Sequence, residues 1–161
     1  MDRTDCEPSI TNLGEIIGKT IELLSPVAVD KGIKLESAVT KKMAFIDSHM
    51  IETVIRNLVN NAIKFTDQGG SIVITTKDLD DFVKVSVTDS GIGMKADKAS
   101  DIFSLSGSSS TDGTQGETGT GLGLLLSKEM VERNGGEISA TSKPGKGSTF
   151  SFTVPKNAPG N

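Results

Sequence analysis

Cysteine and histidine are almost missing from this chain: its 161 residues hold one of each, Cys6 and His49. A lone cysteine cannot close an internal disulfide or a CxxC metal pair, and one cysteine with one histidine cannot make a zinc site. This usage fits a reducing cytoplasm. No apolar run approaches the ~20 residues that span a bilayer, and no signal peptide opens the chain. The stretch is therefore expected to be soluble, without direct membrane contact, and it leaves open whether a parent protein is anchored. Basic residues are few and scattered, 17 Lys and Arg against 21 Asp and Glu for a net charge of −4. Without a basic stripe, a nucleic-acid partner is not expected.

What is present suits one globular domain with a real core: 35 % hydrophobic and 24 % charged residues. Residues 1–8 read as a flexible lead-in, 9–155 as the domain and 156–161 as a tail. From Ser9 to about Val29, Leu13, Ile16, Ile17, Ile21 and Leu24 recur at helical spacing, which predicts a helix closing near Pro26 or Gly32. Ile33 to Val39 and Met43 to Ile46 read as short strands. A second helix is predicted over Ser48 to Phe65, with Asp47 or Ser48 as N-cap. Strands follow at Ile72 to Thr76 and Val83 to Val87, with Asp78 to Asp81 as the hairpin loop between them.

Ser104 to Thr120 is mostly Ser, Thr and Gly, a composition that cannot bury a core and reads as a mobile loop. A helix is predicted from Leu122 to Arg133, ended by Asn134-Gly135-Gly136. Two strands close the chain, Glu137 to Thr141 and Ser148 to Val154, with Phe150, Phe152 and Val154 facing inward. Strand pairs alternating with helices predict an α/β sandwich, a mixed sheet with helices on one face.

Three features carry chemistry. On the second helix, Asn61 lies about 40° and Lys64 about 20° to either side of Asn57, with Thr53 and Asn60 near the same arc. Ile51, Val54, Ile55, Leu58, Ala62 and Phe65 take the apolar arc. A plain solvated face would favour Glu and Lys over asparagine, a poorer helix former. Amide oxygens suit Mg²⁺, and an ammonium suits phosphate. Second, Asp89-Ser-Gly-Ile-Gly93 follows an alternating strand. Gly91 and Gly93 permit a close approach to the backbone, and Asp89 can accept from an exocyclic amine; an ordinary strand-ending turn is the plainer reading of this feature alone. Third, Gly119-Thr-Gly-Leu-Gly123 opens a helix whose N-terminal amides can face an anion. Leu124 stands where a dinucleotide-binding motif needs its third glycine. Gly18-Lys19-Thr20 imitates a P-loop ending, but Leu13 occupies the required earlier glycine position.

In this order, the three features resemble the histidine-kinase branch of the ATPase superfamily that includes DNA gyrase, the heat-shock chaperone and the mismatch-repair ATPases. Asn57-Leu-Val-Asn-Asn-Ala-Ile-Lys-Phe-Thr66 is similar to its asparagine box. Asp89 to Gly93 and Gly119 to Leu124 resemble its two glycine boxes, and Lys146-Gly-Ser-Thr-Phe150 its closing strand. The resemblance covers about Ile10 to Pro155 and implies the Bergerat-type fold: a mixed, mostly antiparallel sheet, about three helices on one face, and an ATP lid at about 104–120.

The resemblance further implies an ATP:protein-histidine phosphotransferase of two-component signalling, with ATP and Mg²⁺ as cofactors. Asn61 would ligate Mg²⁺ on the ATP phosphates, with Asn57 beside it and Lys64 on phosphate. Asp89 would bind the adenine amine, and Gly91 and Gly93 would shape the base pocket. Phe103 and Gly119, Thr120, Gly121, Leu122 and Gly123 would complete the nucleotide site. Hydrolytic relatives carry a glutamate base where Asn57 stands, which favours kinase over ATPase. The phenylalanine box departs from the family pattern at Asp101 and Ser106, while Phe103 is retained. His49 lacks the acceptor motif, so the phosphoacceptor and dimerisation helices belong to a parent kinase outside this stretch. Those helices and a response regulator are the implied partners, and the fragment alone is expected to be monomeric. Two alternatives share the fold: a catalytically weak nucleotide-sensing module and a serine kinase of the anti-sigma-factor type.

Overall fold

The computed structural model describes residues 5–95, 102, 103 and 123–159. The order is β1 (Ser9–Asn12), α1 (Leu13–Asp30), β2 (Lys34–Ser37), β3 (Met43–Ile46), α2 (Ser48–Lys64), β4 (Ser71–Leu79) and β5 (Phe82–Asp89). After these come α3 (Gly123–Arg133), β6 (Ile138–Lys143) and β7 (Gly147–Pro155). Five strands form one sheet in the order β2-β4-β5-β7-β6, and only the β2–β4 pair is parallel. This is the mixed, mostly antiparallel sheet expected, with three helices against it.

Alternation along the strands decides which face the helices cover. Val83, Val85 and Val87 of β5 are buried, as are Ile72 and Ile74 of β4 and Phe150, Phe152 and Val154 of β7. They meet Val54, Ile55, Leu58, Val59 and Ala62 of α2 and Leu13, Ile17, Leu24 and Ala28 of α1 in one core. Burying each such side chain contributes about 1.5–3 kcal/mol. The opposite face carries hydroxyls in register: Thr75, Ser86, Ser151 and Ser139 lie side by side across four strands.

Two local expectations are corrected, and of the two expected ends of α1, Pro26 and Gly32, the second holds. Ser9 to Asn12 is a strand, not the first turn of the helix, and pairs antiparallel with β3 in a separate two-stranded ribbon. Asn12 then caps α1, its Oδ1 accepting the Gly14 N–H at 2.9 Å and the Lys42 N–H at 3.0 Å. Pro26 does not end α1, which continues to Asp30. Pro26 and Glu22, whose carbonyl loses its bond, are both exposed, so water can serve that oxygen, while Leu24 and Ala28 hold the helix to the core. Gly32, at φ 75°, provides the left-handed exit. Finally, Asp78 and Leu79 belong to β4, leaving Asp80 and Asp81 as the turn. The expected mobile loop, 104–120, lies outside the described residues. No helix among those described is long and apolar enough to cross a membrane.

Candidate functional site

α2 is fixed at both ends. Asp47 caps its start, Oδ1 accepting from Met50 N at 3.1 Å and Oδ2 from Glu7 N at 2.9 Å. Asn134, beyond the end of α3, accepts the Asp47 N–H through Oδ1 at 2.7 Å and so ties α3 to that cap. At the other end the buried Lys31 ammonium donates to the carbonyls of Ile63 (2.8 Å) and Lys64 (3.1 Å). A cation on the last carbonyls is favourable there because the helix dipole is negative at that end.

Between these ends the polar stripe stands half out of the core. Asn57 and Asn61 are half-buried and Asn60 exposed. The Asn57 amide points toward α3, with Nδ2 3.4 Å from Ser127 Oγ and 3.5 Å from the Gly123 carbonyl. The asparagine stripe and the first turn of α3 are thus adjacent. The Asn61 amide bonds no described residue. Lys64 lies with its ammonium 5.0 Å above the Phe65 ring centre.

Asp89 ends β5 and is buried, at 6 % exposure. One of its oxygens, Oδ1, accepts two backbone N–H groups, from Gly91 at 2.9 Å and Ser148 at 3.2 Å. The other, Oδ2, accepts from no described residue. Burial raises the Asp89 pKa above the usual carboxylate range, and the two N–H donors pull it partly back.

The loop after Asp89 is clamped from two sides. The Ile92 N–H donates to the Phe65 carbonyl at 3.1 Å, and Gly91 packs so closely on that carbonyl that a Cβ has no room. Phe65 N in turn donates to the Asn61 carbonyl, so one helical turn separates the clamp from Asn61. On the far side Gly145 N donates to Ile92 O at 2.6 Å, Met94 N donates to Ser142 Oγ at 2.7 Å, and Gly93 at φ 71° abuts the Lys143 carbonyl. A cavity of about 270 Å³ opens beside Asp89, walled by Ser142, Lys143, Lys146, Ser148 and Thr149 among others. The asparagines of α2 are not among its walls.

The structure therefore brings Asn57 to Gly123 and Gly91 to the end of α2, with Asp89 held between Gly91 and Ser148 and Gly93 packed on Lys143. Phe103 is placed in the core, 6.0 Å edge-on from Phe150, rather than lining that cavity. Gly119, Thr120, Gly121 and Leu122 lie outside the described residues, as do Asp101 and Ser106. His49 is exposed in the first turn of α2. Lys31, Asn134 and Ser142 were not singled out from the sequence, because their partners lie 32, 87 and 48 residues away.

Residues 46–158 match the family described as histidine kinase-, DNA gyrase B- and HSP90-like ATPase. An uncharacterised sensor-like histidine kinase of Rhizobium meliloti is 36 % identical over 150 residues, covering 92 % of this chain and 29 % of the relative. The nucleotide-free catalytic domain of histidine kinase ThkA superposes with a TM-score of 0.80 at 30 % identity, covering 94 % of this chain and 99 % of that one. ThkA has also been solved in complex with the response regulator protein TrrA. Full-length ShkA, in complex with AMPPNP, gives a TM-score of 0.78 at 25 % identity over 96 % of this chain and 32 % of that one. The chain spans less than a third of the length of the curated relatives it matches first.

Proposed function

The chain belongs to the histidine kinase-, DNA gyrase B- and HSP90-like ATPase family, and on that premise we propose that residues 9–155 bind Mg-ATP and donate its γ-phosphoryl group to a histidine on another domain. The carrying observation is the Asp89 carboxylate, with Oδ1 held by two backbone amides and Oδ2 open to a ligand donor. Such a group accepts a hydrogen bond from the exocyclic amine of adenine, and its buried setting excludes competing water.

The phosphate end is assigned to α2 and the start of α3. Lys64 supplies positive charge, and the first amides of α3 an anion-seeking helix end. Asn57 holds α3 against the stripe. Among the described residues no three carboxylate, histidine or cysteine groups could cage a metal. The donor set therefore fits Mg²⁺ carried in by the phosphates, with the Asn61 amide oxygen as protein ligand, rather than a resident ion. When bound, the ion would neutralise phosphate charge. In the transfer, a neutral imidazole nitrogen of the acceptor forms a bond to γ-phosphorus as the bond to the β,γ-bridging oxygen breaks and ADP leaves. Asn57 is no base, and none is needed for a nucleophile that is already neutral and nucleophilic. The acceptor helices of a parent kinase and a downstream response regulator are the partners, and the site of action is cytoplasmic.

The test is incubation with radiolabelled ATP and the parent's acceptor domain. Acid-labile phosphohistidine is expected, and its loss in Asn61→Asp. Acid-stable phosphoserine on a partner would move the protein to the serine-kinase reading. Nucleotide binding with no transfer would leave the sensing module, a reading motivated by Asp101 and Ser106 in the phenylalanine box.

A further inference from the structure

We propose that Ser142 is a positioning residue that sets the site's preference for adenine, by joining the two backbone segments that hold Asp89. The proposal rests on the assignment of Asp89 to the base. Ser142 is the next-to-last residue of β6 and is half-buried, with its hydroxyl in contact with three groups. The Met94 N–H reaches Ser142 Oγ at 2.7 Å, Ser148 Oγ lies at 2.7 Å, and the Gly147 carbonyl at 3.0 Å.

A hydroxyl has one proton and two lone pairs. One arrangement satisfies every partner: Met94 N–H and Ser148 O–H both donate to Ser142, and Ser142 donates to Gly147. The full capacity of the group is then in use. Its partners fall on both sides of the carboxylate. Gly147 and Ser148 bring the Ser148 N–H to Asp89 Oδ1, and Gly147 at φ 97° packs on the Asp89 carbonyl with no space for a Cβ. Met94 closes the loop whose Gly91 N–H is the second donor to Oδ1. Ser142 makes no hydrogen bond to Asp89, although it helps wall the cavity beside that carboxylate, and its hold on Oδ1 passes through these segments.

Alanine at 142 would free the loop from the β6–β7 turn and let Oδ1 lose its fixed direction. Recognition of the 6-amino group would weaken, while contacts to sugar and phosphates would remain. The experiment is competition binding of ATP against the purine riboside triphosphate lacking the 6-amino group. The wild type should prefer ATP by about tenfold or more, as expected for one hydrogen bond to a charged acceptor. Ser142→Ala should cut that preference about fivefold while affinity for the 6-desamino analogue stays within about twofold, and Ser142→Thr should restore it. If the wild type discriminates and Ser142→Ala discriminates equally, the role of Ser142 is overturned. A wild type that binds both nucleotides alike would instead remove the assignment of Asp89, and this proposal with it. Should Ser142→Ala not fold, Ser148→Ala deletes one donor to Ser142 and carries the same test: an unchanged preference overturns the proposal.

Discussion

Gly91→Ala would drive a methyl group into the Phe65 carbonyl oxygen and to 2.9 Å from Asp89 Oδ1. Neither neighbour is a flexible tip: one is backbone at the end of α2, the other a carboxylate held by two amides. The loop must retreat from α2 by on the order of 1 Å, and overpacking of this kind costs about 1–3 kcal/mol. Loss of the Ile92–Phe65 hydrogen bond adds about 1 kcal/mol, so a destabilisation of about 2–4 kcal/mol is expected. A domain with about 5–15 kcal/mol of stability survives that. Binding should suffer separately. Misplacing one hydrogen bond to a charged acceptor is worth about 1.5–3 kcal/mol, or about 10- to 150-fold in ATP affinity. Gly69→Ala is the control: φ is 89° and no atom lies within 4 Å of the added carbon. It should cost about 1–2 kcal/mol in backbone strain and leave ATP affinity unchanged. Urea denaturation and calorimetric titration of both variants read the two effects. Wild-type ATP affinity in Gly91→Ala would refute the coupling between α2 and the Asp89 loop.

Gly18→Ala lies at an exposed position in α1 with open space around it, so it should stabilise the fold by about 0.5–1 kcal/mol in chemical denaturation. Its ATP affinity should be unchanged; a loss would revive the P-loop-like reading of Gly18-Lys19-Thr20. Lys31→Met removes the ammonium from the last carbonyls of α2 and should cost about 2–3 kcal/mol of stability by the same assay. Because burial raises the Asp89 pKa, ATP affinity should fall on acidification above the usual carboxylate range, relative to an Asp89→Asn reference titrated in parallel. Folding raises this pKa, so the protonated form favours the fold and the ionised form opposes it. That opposition sets in as pH rises through the unfolded value, and free Asp89→Asn at pH 7 should be no less stable than the wild type.

Local pattern made much of this legible. Val83, Val85 and Val87 alternate plainly enough to place Asp89 at a strand end, and the asparagine stripe of α2 follows from helical geometry alone. β1 was hidden because four residues abut a strong helical period, and what makes them a strand is β3, whose Ile46 pairs with Ser9 from 37 residues away. The clamps on the Asp89 loop were hidden for a related reason. Ser142 and Met94, or Lys31 and Ile63, meet only once the sheet has formed, and serine in a strand or lysine at a helix end has no local mark of such a role. Phe103 entered the expected site through the resemblance alone, and its edge-on contact with Phe150, on β7, joins two residues 47 apart that no local pattern links.

The most direct measurement is calorimetric titration of ATP, with and without Mg²⁺, into the wild type, Asn61→Ala and Asp89→Asn. If one nucleotide is gripped by its base at Asp89 and its metal-bound phosphates at Asn61, the wild type binds more tightly with Mg²⁺. Asn61→Ala then loses that gain, and Asp89→Asn loses at least about tenfold in both conditions. Wild-type affinity for Mg-ATP in either variant would contradict the account.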